Sequence, residues 1–232
     1  MAKSPQSKPA GAADAVELDA GKPPTAREVA RAAVLADIST AARRQLAEQG
    51  AAALSLRLIA RELGMVSSGI YRYVASRDEL LTRLIIETYE ELGAHLEAAL
   101  QGKPATPRAR WQRVASALRA WALAHPHDYA LLYGSPVPDY AAPTDTIAPA
   151  TRVYAALAAP LRDRAPDAEP AGSLAPLGLA LDDDAANVAL GVWMQCFGMV
   201  SFEVFGHTYG VIHDHDRFYT ERIDALADVL GL

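Results

Sequence analysis

Residues 55–74, SLRLIARELGMVSSGIYRYV, decide how this chain folds. Leu56, Ile59, Ala60 and Leu63 recur at three- and four-residue intervals and fall on one face of a short helix, with Arg57, Arg61 and Glu62 on the other. Ser55 is placed to cap its start. Gly64 follows where a helix needs a residue that tolerates a left-handed backbone, so the helix is expected to stop there. Ser67 offers a second cap, and the segment SSGIYRYV that it begins is too short and too polar at its start for a core helix. Ile70 and Val74, four apart, can dock it onto its neighbour. That leaves Ser67, Ser68, Gly69, Tyr71, Arg72 and Tyr73 exposed. Hydroxyls, a glycine that permits close approach and an arginine are groups that hydrogen-bond phosphates and base edges when such a helix lies in a major groove. The stretch has the outline of a helix-turn-helix.

The flanks extend the pattern. Before it runs VLADISTAARRQLAEQG, residues 34–50, a helical segment; after it SRDELL, residues 76–81, opens a further helix. Ser76 and Glu79 make a capping box, so Arg77 sits beside a positive helix terminus where a phosphate is welcome. On these residues the stretch 34–81 resembles the DNA-binding domain of the TetR/AcrR family of bacterial one-component repressors. Arg77 stands where that family more often has lysine, and Val74 where phenylalanine is more usual. The resemblance implies phosphate contacts from the Tyr73 and Arg77 positions. The candidate DNA contacts are Ser55, Arg57, Ser67, Ser68, Gly69, Tyr71, Arg72, Tyr73 and Arg77.

The whole chain of 232 residues is acidic, with a formal net charge of −6, although nucleic-acid binders usually carry a basic footprint. The charge is uneven. Residues 27–77 hold eight arginines against four acids, a net of +4, which leaves −10 for the remainder. A basic head on an acidic body suits a protein whose DNA contact is confined to one end.

The length suits a small domain fused to a larger one. The expected division is a disordered arm over 1–24, rich in Ala, Pro, Gly and Lys, a helix-turn-helix domain over 25–76 and a ligand-binding and dimerisation domain over 77–232. No apolar run reads as long enough for a bilayer span, and the start lacks a signal-peptide core. The single cysteine excludes an internal disulfide and fits a reducing cytoplasm.

Beyond the head, proline-rich loops break a series of helices and no two-residue alternation argues for a sheet, so the fold class is all-α. Helices are expected over about 77–100 (buried stripe Leu80, Leu81, Leu84, Ile85, Tyr89, Leu92, Leu96), 107–125 (Trp111, Val114, Leu118, Trp121, Leu123), 146–164, 184–207 and 216–230. HDYALLYG, residues 127–134, is a short amphipathic piece, and 165–184 reads as a mobile loop.

The segment NVALGVWMQCFGMVSFEVFGHTYG, residues 187–210, is apolar nearly all round and is expected to be buried on more than one side. Its Gly191, Gly198 and Gly206 suggest close approach of another helix or a ligand. With AWALAHPHDYALLYGSPVPDY (120–140) and the series Trp193, Gly198, Ser201, Glu203, Phe205 and Gly206, the body resembles the TetR subgroup with the WHG-type C-terminal domain. That resemblance implies a homodimer through the last two long helices, a palindromic operator in double-stranded DNA as partner, and release by a small-molecule effector. Large apolar residues with a few polar handles make the candidate pocket: Trp111, Trp121, Tyr129, Tyr133, Trp193, Met194, Cys196, Phe197 and, beside them, Met199. Such a lining would admit an apolar or aromatic compound.

No cofactor and no metal are expected. His213, Asp214, His215 and Asp216 lack a standard ligand spacing, so a solvated turn with Asp214 or Asp216 as an N-cap is the better reading. Cys196 lies among apolar residues with no basic neighbour to lower its pKa, the setting of an inert thiol. A helical enzyme is the rival class, with Glu203 and His207 as an acid–base pair, but no nucleophile elbow, phosphate loop or zincin pattern accompanies them. A helical adaptor without DNA binding is the other alternative.

Overall fold

A computed structural model describes residues 25–102, 106–162, 169–170 and 172–232. The expected arm over 1–24 and part of the expected loop over 165–184 lie outside them. Helices follow one another as α1 (Ala26–Gln49), α2 (Leu56–Glu62), α3 (Ser67–Ile70), α4 (Arg77–Ala99), α5 (Pro107–Ala124), α6 (Pro126–Tyr133), α7 (Ile147–Arg162), α8 (Asp183–Val204) and α9 (His215–Val229). The all-α class is what the structure has.

Local chemistry sets most of the boundaries. Thr25 and Glu28 cap α1 reciprocally, and Ser76, Thr106, Asp182 and Asp214 each accept a first-turn N–H of the helix they precede. Pro107 and Pro126 occupy first-turn positions where a missing N–H costs nothing. At the turn after α2, Gly64 has φ +65°, the left-handed conformation its position calls for.

Two buried clusters organise these helices. Ile38, Ala42 and Leu46 of α1, Ile59 of α2, Ile70 and Val74 join Leu80, Leu81 and Leu84 of α4 in the head. Leu92 and Leu96, farther along the same α4, join Trp111, Leu118, Val153, Trp193 and Ile223 in the body. One helix therefore supplies leucines to both cores. In the body α4 packs along α7 and α5, and α5 packs against α9.

Four expectations change. Leu123 is exposed rather than buried, because its face of α5 points away from the body core. In α8 the buried residues are Ala186, Ala189, Val192, Trp193, Cys196 and Val200, essentially one side of the helix, whereas Val188, Met194 and Phe202 are exposed on others. The helix is thus apolar all round yet covered on one side by its own chain. Nothing approaches the Gly191 or Gly198 positions, and Gly206 lies past the helix end at φ +76°. Finally, α8 is long and apolar enough to cross a membrane by length and composition, against the reading that no such segment exists; it packs on α5 and α9.

Candidate nucleic-acid interface and body cavity

The head presents α2, the turn and α3 on one side. Ser55 Oγ accepts the Leu58 N–H at 3.5 Å, and Gln45 of α1 accepts the Ser55 N–H at 3.0 Å, so the start of α2 is tied to α1. Arg57 and Arg61 are exposed along α2. The turn closes through Met65 N–H to the Ala60 carbonyl at 2.8 Å. Ser67, Ser68, Tyr71 and Arg72 are exposed, whereas Tyr73, expected to be exposed, is half-buried because it packs against the head core.

Two expectations for α3 are corrected. Ser67 is not the cap: Val66, in extended conformation, precedes the helix with no side-chain cap bond, and Ser67 is its first residue. The turn places the helical start one residue earlier than the serine signal suggests. Gly69 is buried, not exposed, because the Met65, Val66 and Arg72 side chains crowd it; a Cβ there would meet Val66 Cγ2 at 3.3 Å. Gly69 therefore lets its neighbours close over the helix rather than offering bare backbone to a partner.

The arginines divide into two sets. Arg57, Arg61 and Arg72 make no side-chain hydrogen bond or ion pair among the described residues, which leaves them available to an anionic partner. Three others hold the head together, and Arg43 ties it to the body. Arg31 donates to the Arg72 carbonyl at 2.9 Å and lies 5.4 Å from the centre of the Tyr73 ring. Arg44 pairs with Glu62, joining α1 to α2. Arg77 donates to the Ala51 and Ala52 carbonyls at 3.0 and 3.4 Å, so its side chain fastens the start of α4 to the α1–α2 connection. The capping box behind it holds with one shift: Ser76 accepts the Glu79 N–H at 3.1 Å, while Glu79 reaches the Ala75 N–H at 2.6 Å. Arg43 crosses to the body, reaching Glu91 at 2.7 Å and Asp128 of α6 at 3.1 Å. Sequence reasoning missed Arg31, which is 41 positions from its partner; no local spacing signals such a contact.

A second tie between head and body is the loop after α6. Tyr140 and Thr82 share a hydroxyl hydrogen bond at 3.0 Å, and Val137 and Tyr140 pack against the head core. The same loop walls a cavity of about 500 Å³ with Ile85 and Tyr89 of α4 and Thr151 and Tyr154 of α7. Thr151 and Tyr154 also line a neighbouring cavity of about 450 Å³, formed with Tyr133, Leu174, Leu177 and the α8 residues Leu190, Trp193, Met194 and Phe197. Those four positions follow helical spacing, so one face of α8 makes a continuous wall.

The candidate pocket residues separate accordingly. Tyr133, Trp193, Met194 and Phe197 line that cavity. Trp111, Trp121, Tyr129 and Cys196 are packed in the core instead, and long-range contacts satisfy the polar groups of Trp111, Tyr129 and Cys196, the last through the Tyr219 hydroxyl. Trp111 Nε1 donates to the Ile223 carbonyl at 2.8 Å, and Tyr129 bonds the Phe197 carbonyl and Ser201. Burial holds the Tyr129 phenol at about 12 and the Cys196 thiol at about 11. Met199 lines a different hollow between α8 and α9. Tyr154, Thr151, Leu174 and Leu177 went unnoticed in the sequence, since α7 and the following segment reach α8 only through the tertiary fold.

Polar features near the last helices are structural. Glu203 is held by Arg119 through two bonds of 2.6 and 2.7 Å, with Asp216 on the same guanidinium. His207 packs edge-on against Phe202, 5.3 Å between ring centres, so the two do not form an acid–base pair. Asp214 caps α9, and His215 shares a hydrogen bond with Thr208 at 2.9 Å. Among the described residues no three metal-ligating side chains converge.

Comparison with known proteins places both halves. Residues 38–84 match the model of the bacterial regulatory proteins of the tetR family, and residues 111–226 match that of the tetracyclin repressor-like C-terminal domain. The chain is 41% identical over 206 residues to the HTH-type transcriptional regulator Rv1816 of Mycobacterium tuberculosis, covering 79% of this chain and 86% of that one. Among solved structures, the regulatory protein SCO4313 superposes with a TM-score of 0.73 at 35% identity, over 90% of this chain and all of that one. A protein of unknown function from Rhodococcus sp. RHA1 gives 0.66 at 25% identity, over 86% and 95%.

Proposed function

The chain belongs to the TetR family of transcriptional regulators, and we propose that it works as a ligand-responsive repressor, a homodimer that grips a palindromic operator and lets go when a small apolar or aromatic effector enters the body. It is a regulator rather than an enzyme. The observation that carries the finer reading is the placement of α4: its first turns complete the head core, and its later turns, Ile85 and Tyr89, wall a cavity.

In this reading residues 25–76 read DNA and 77–232 bind the effector and the second subunit. Arg57, Arg61, Arg72, Ser67, Ser68 and Tyr71 face the duplex, and Arg31 and Arg77 hold the reading helix and the start of α4 for them. The exposed apolar side of α8, with Val188 and Phe202, and Phe218 of α9 is covered by the same helices of a second chain; the open space beside Gly191 and Gly198 lets backbones approach. Two heads spaced about 34–36 Å apart read successive major grooves. An effector prefers the body shape in which α4 has shifted, and that difference in affinity between the two shapes drives release. Acting on chromosomal DNA, the protein works in the cytoplasm.

The test is fluorescence anisotropy of the purified protein on the DNA flanking its own gene, across a salt series and against unrelated competitor DNA. A specific affinity that falls steeply with salt is expected. Equal affinity for competitor DNA would favour a helical adaptor.

A further inference from the structure

Two side chains that line the 450 Å³ cavity each carry a buried polar atom with no partner among the described residues: Trp193 at Nε1 and Tyr133 at its hydroxyl. Neither is a stray surface group. Trp193 is 1% exposed, and burial raises the Tyr133 phenol far above its ordinary range, so it keeps its proton. A buried donor left unsatisfied is costly, and other aromatic polar groups of this body avoid that cost, Trp111 through the Ile223 carbonyl and Tyr219 through the Ala115 carbonyl. The two aromatic exceptions belong to residues of one hollow.

The rest of that wall fixes the remaining chemistry. Tyr133, Phe197, Tyr154 and Trp193 form a chain of tilted aromatic contacts, with centre separations of 4.8 Å for Tyr133–Phe197, 5.8 Å for Tyr154–Phe197 and 6.1 Å for Tyr154–Trp193. Thr151, Leu174, Leu177, Leu190 and Met194 complete it, and no charged side chain lines it. Flat aromatic surfaces favour a flat aromatic guest, and a wall without a counter-ion disfavours a charged one.

We propose that this cavity takes an uncharged aromatic compound carrying a hydrogen-bond acceptor, of the aryl ketone type, whose acceptor receives the Trp193 indole N–H, with the Tyr133 hydroxyl as the second polar contact. The inference rests on the body being the effector-binding part, and it adds the effector's class.

Three probes of one shape test it by calorimetric titration of the full-length protein: 2-acetylnaphthalene, 2-ethylnaphthalene, which lacks the carbonyl, and 2-naphthoate, which carries a charge. The ketone should bind roughly tenfold tighter than the hydrocarbon, the scale of one buried hydrogen bond, and the carboxylate weakest. Trp193→Phe should abolish the preference for the ketone while the hydrocarbon still binds, and Tyr133→Phe should reduce it. Equal binding of ketone and hydrocarbon by the unaltered protein would overturn the proposed class and leave the cavity as an apolar effector site. A ketone preference that survives Trp193→Phe, or a carboxylate that binds as tightly as the ketone, would overturn it too. Binding of none of the three would overturn it together with the effector reading of this cavity.

Discussion

The guanidinium of Arg31 holds the main-chain oxygen of Arg72 at 2.9 Å and covers the Tyr73 ring at 5.4 Å, so the first helix of the head clamps the end of the reading helix. In the proposed reading the arginine acts on DNA through another residue's position. Arg31→Ala removes a charge-assisted hydrogen bond and a cation–π contact, each worth on the order of 1 kcal/mol. Operator affinity should fall roughly tenfold or more while the dependence on salt stays as it was. Arg57→Ala, at an exposed position facing the duplex in the proposed reading, should instead lower the salt slope by about one. Anisotropy titrations over a salt series separate the two; a reduced slope for Arg31→Ala would place that side chain on phosphate.

Arg119 and Glu203 are 14% and 15% exposed and join α5 to α8. Removing one partner strands the other, at a cost of about 3 kcal/mol. Arg119→Met should lower the urea midpoint accordingly, and the double variant with Glu203→Leu should recover most of the loss. A cost for the single variant no larger than that of a surface pair would show that water reaches the site.

Gly64 has φ +65°, and nothing lies within 4 Å of where a Cβ would stand. The cost of Gly64→Ala is therefore backbone strain without a clash, about 1 kcal/mol. Chemical denaturation should report that loss, and the secondary structure seen by circular dichroism should not change.

Cys196 is fully buried, and burial lifts its thiol to about 11. Near neutral pH it is a thiol rather than a nucleophilic thiolate. Iodoacetamide should leave the folded protein unmodified over hours and react promptly once urea unfolds it. Rapid labelling of the native protein would contradict the packing of Cys196 against Tyr219.

Arg152 of α7 bonds Glu97 at 2.6 Å and also pairs with Glu90, both on α4. The first of these bonds holds the Glu97 carboxyl below the usual carboxylate range. A carboxyl lowered in the folded state contributes stability at pH values above its unfolded pKa, and loses it as pH falls through the folded one. Both side chains are substantially exposed, which limits the effect to under about 1 kcal/mol. Arg152→Ala should thus be slightly destabilising at pH 7, and the difference should shrink toward pH 3, where carboxylates are largely protonated.

Local signals were readable from the chain alone where local chemistry decides. Ser55, Gly64 and Ser76 mark helix ends by hydrogen-bonding capacity or backbone freedom, and the leucines of α4 mark its buried stripe by spacing. Gly69 shows the limit, since the side chains that bury it come from the folded turn and an extra Cβ is all that spacing could report. Arg77 shows another: its charge suits a phosphate, but its position gives it two carbonyls first. In the body, Trp111 and Trp193 look alike as sequence, and only the approach of the Ile223 carbonyl to one of them separates a satisfied core residue from a cavity wall.

Because Leu84 belongs to one core and Leu92 to the other, eight positions apart on an unbroken helix, the DNA-reading end cannot melt without unravelling a helix that the body is packed upon. Heating should dismantle the two together in one transition. A substitution that loosens α5 or α7 would then raise the population of molecules with a disordered head, and an operator-binding defect could arise from residues that never come near DNA.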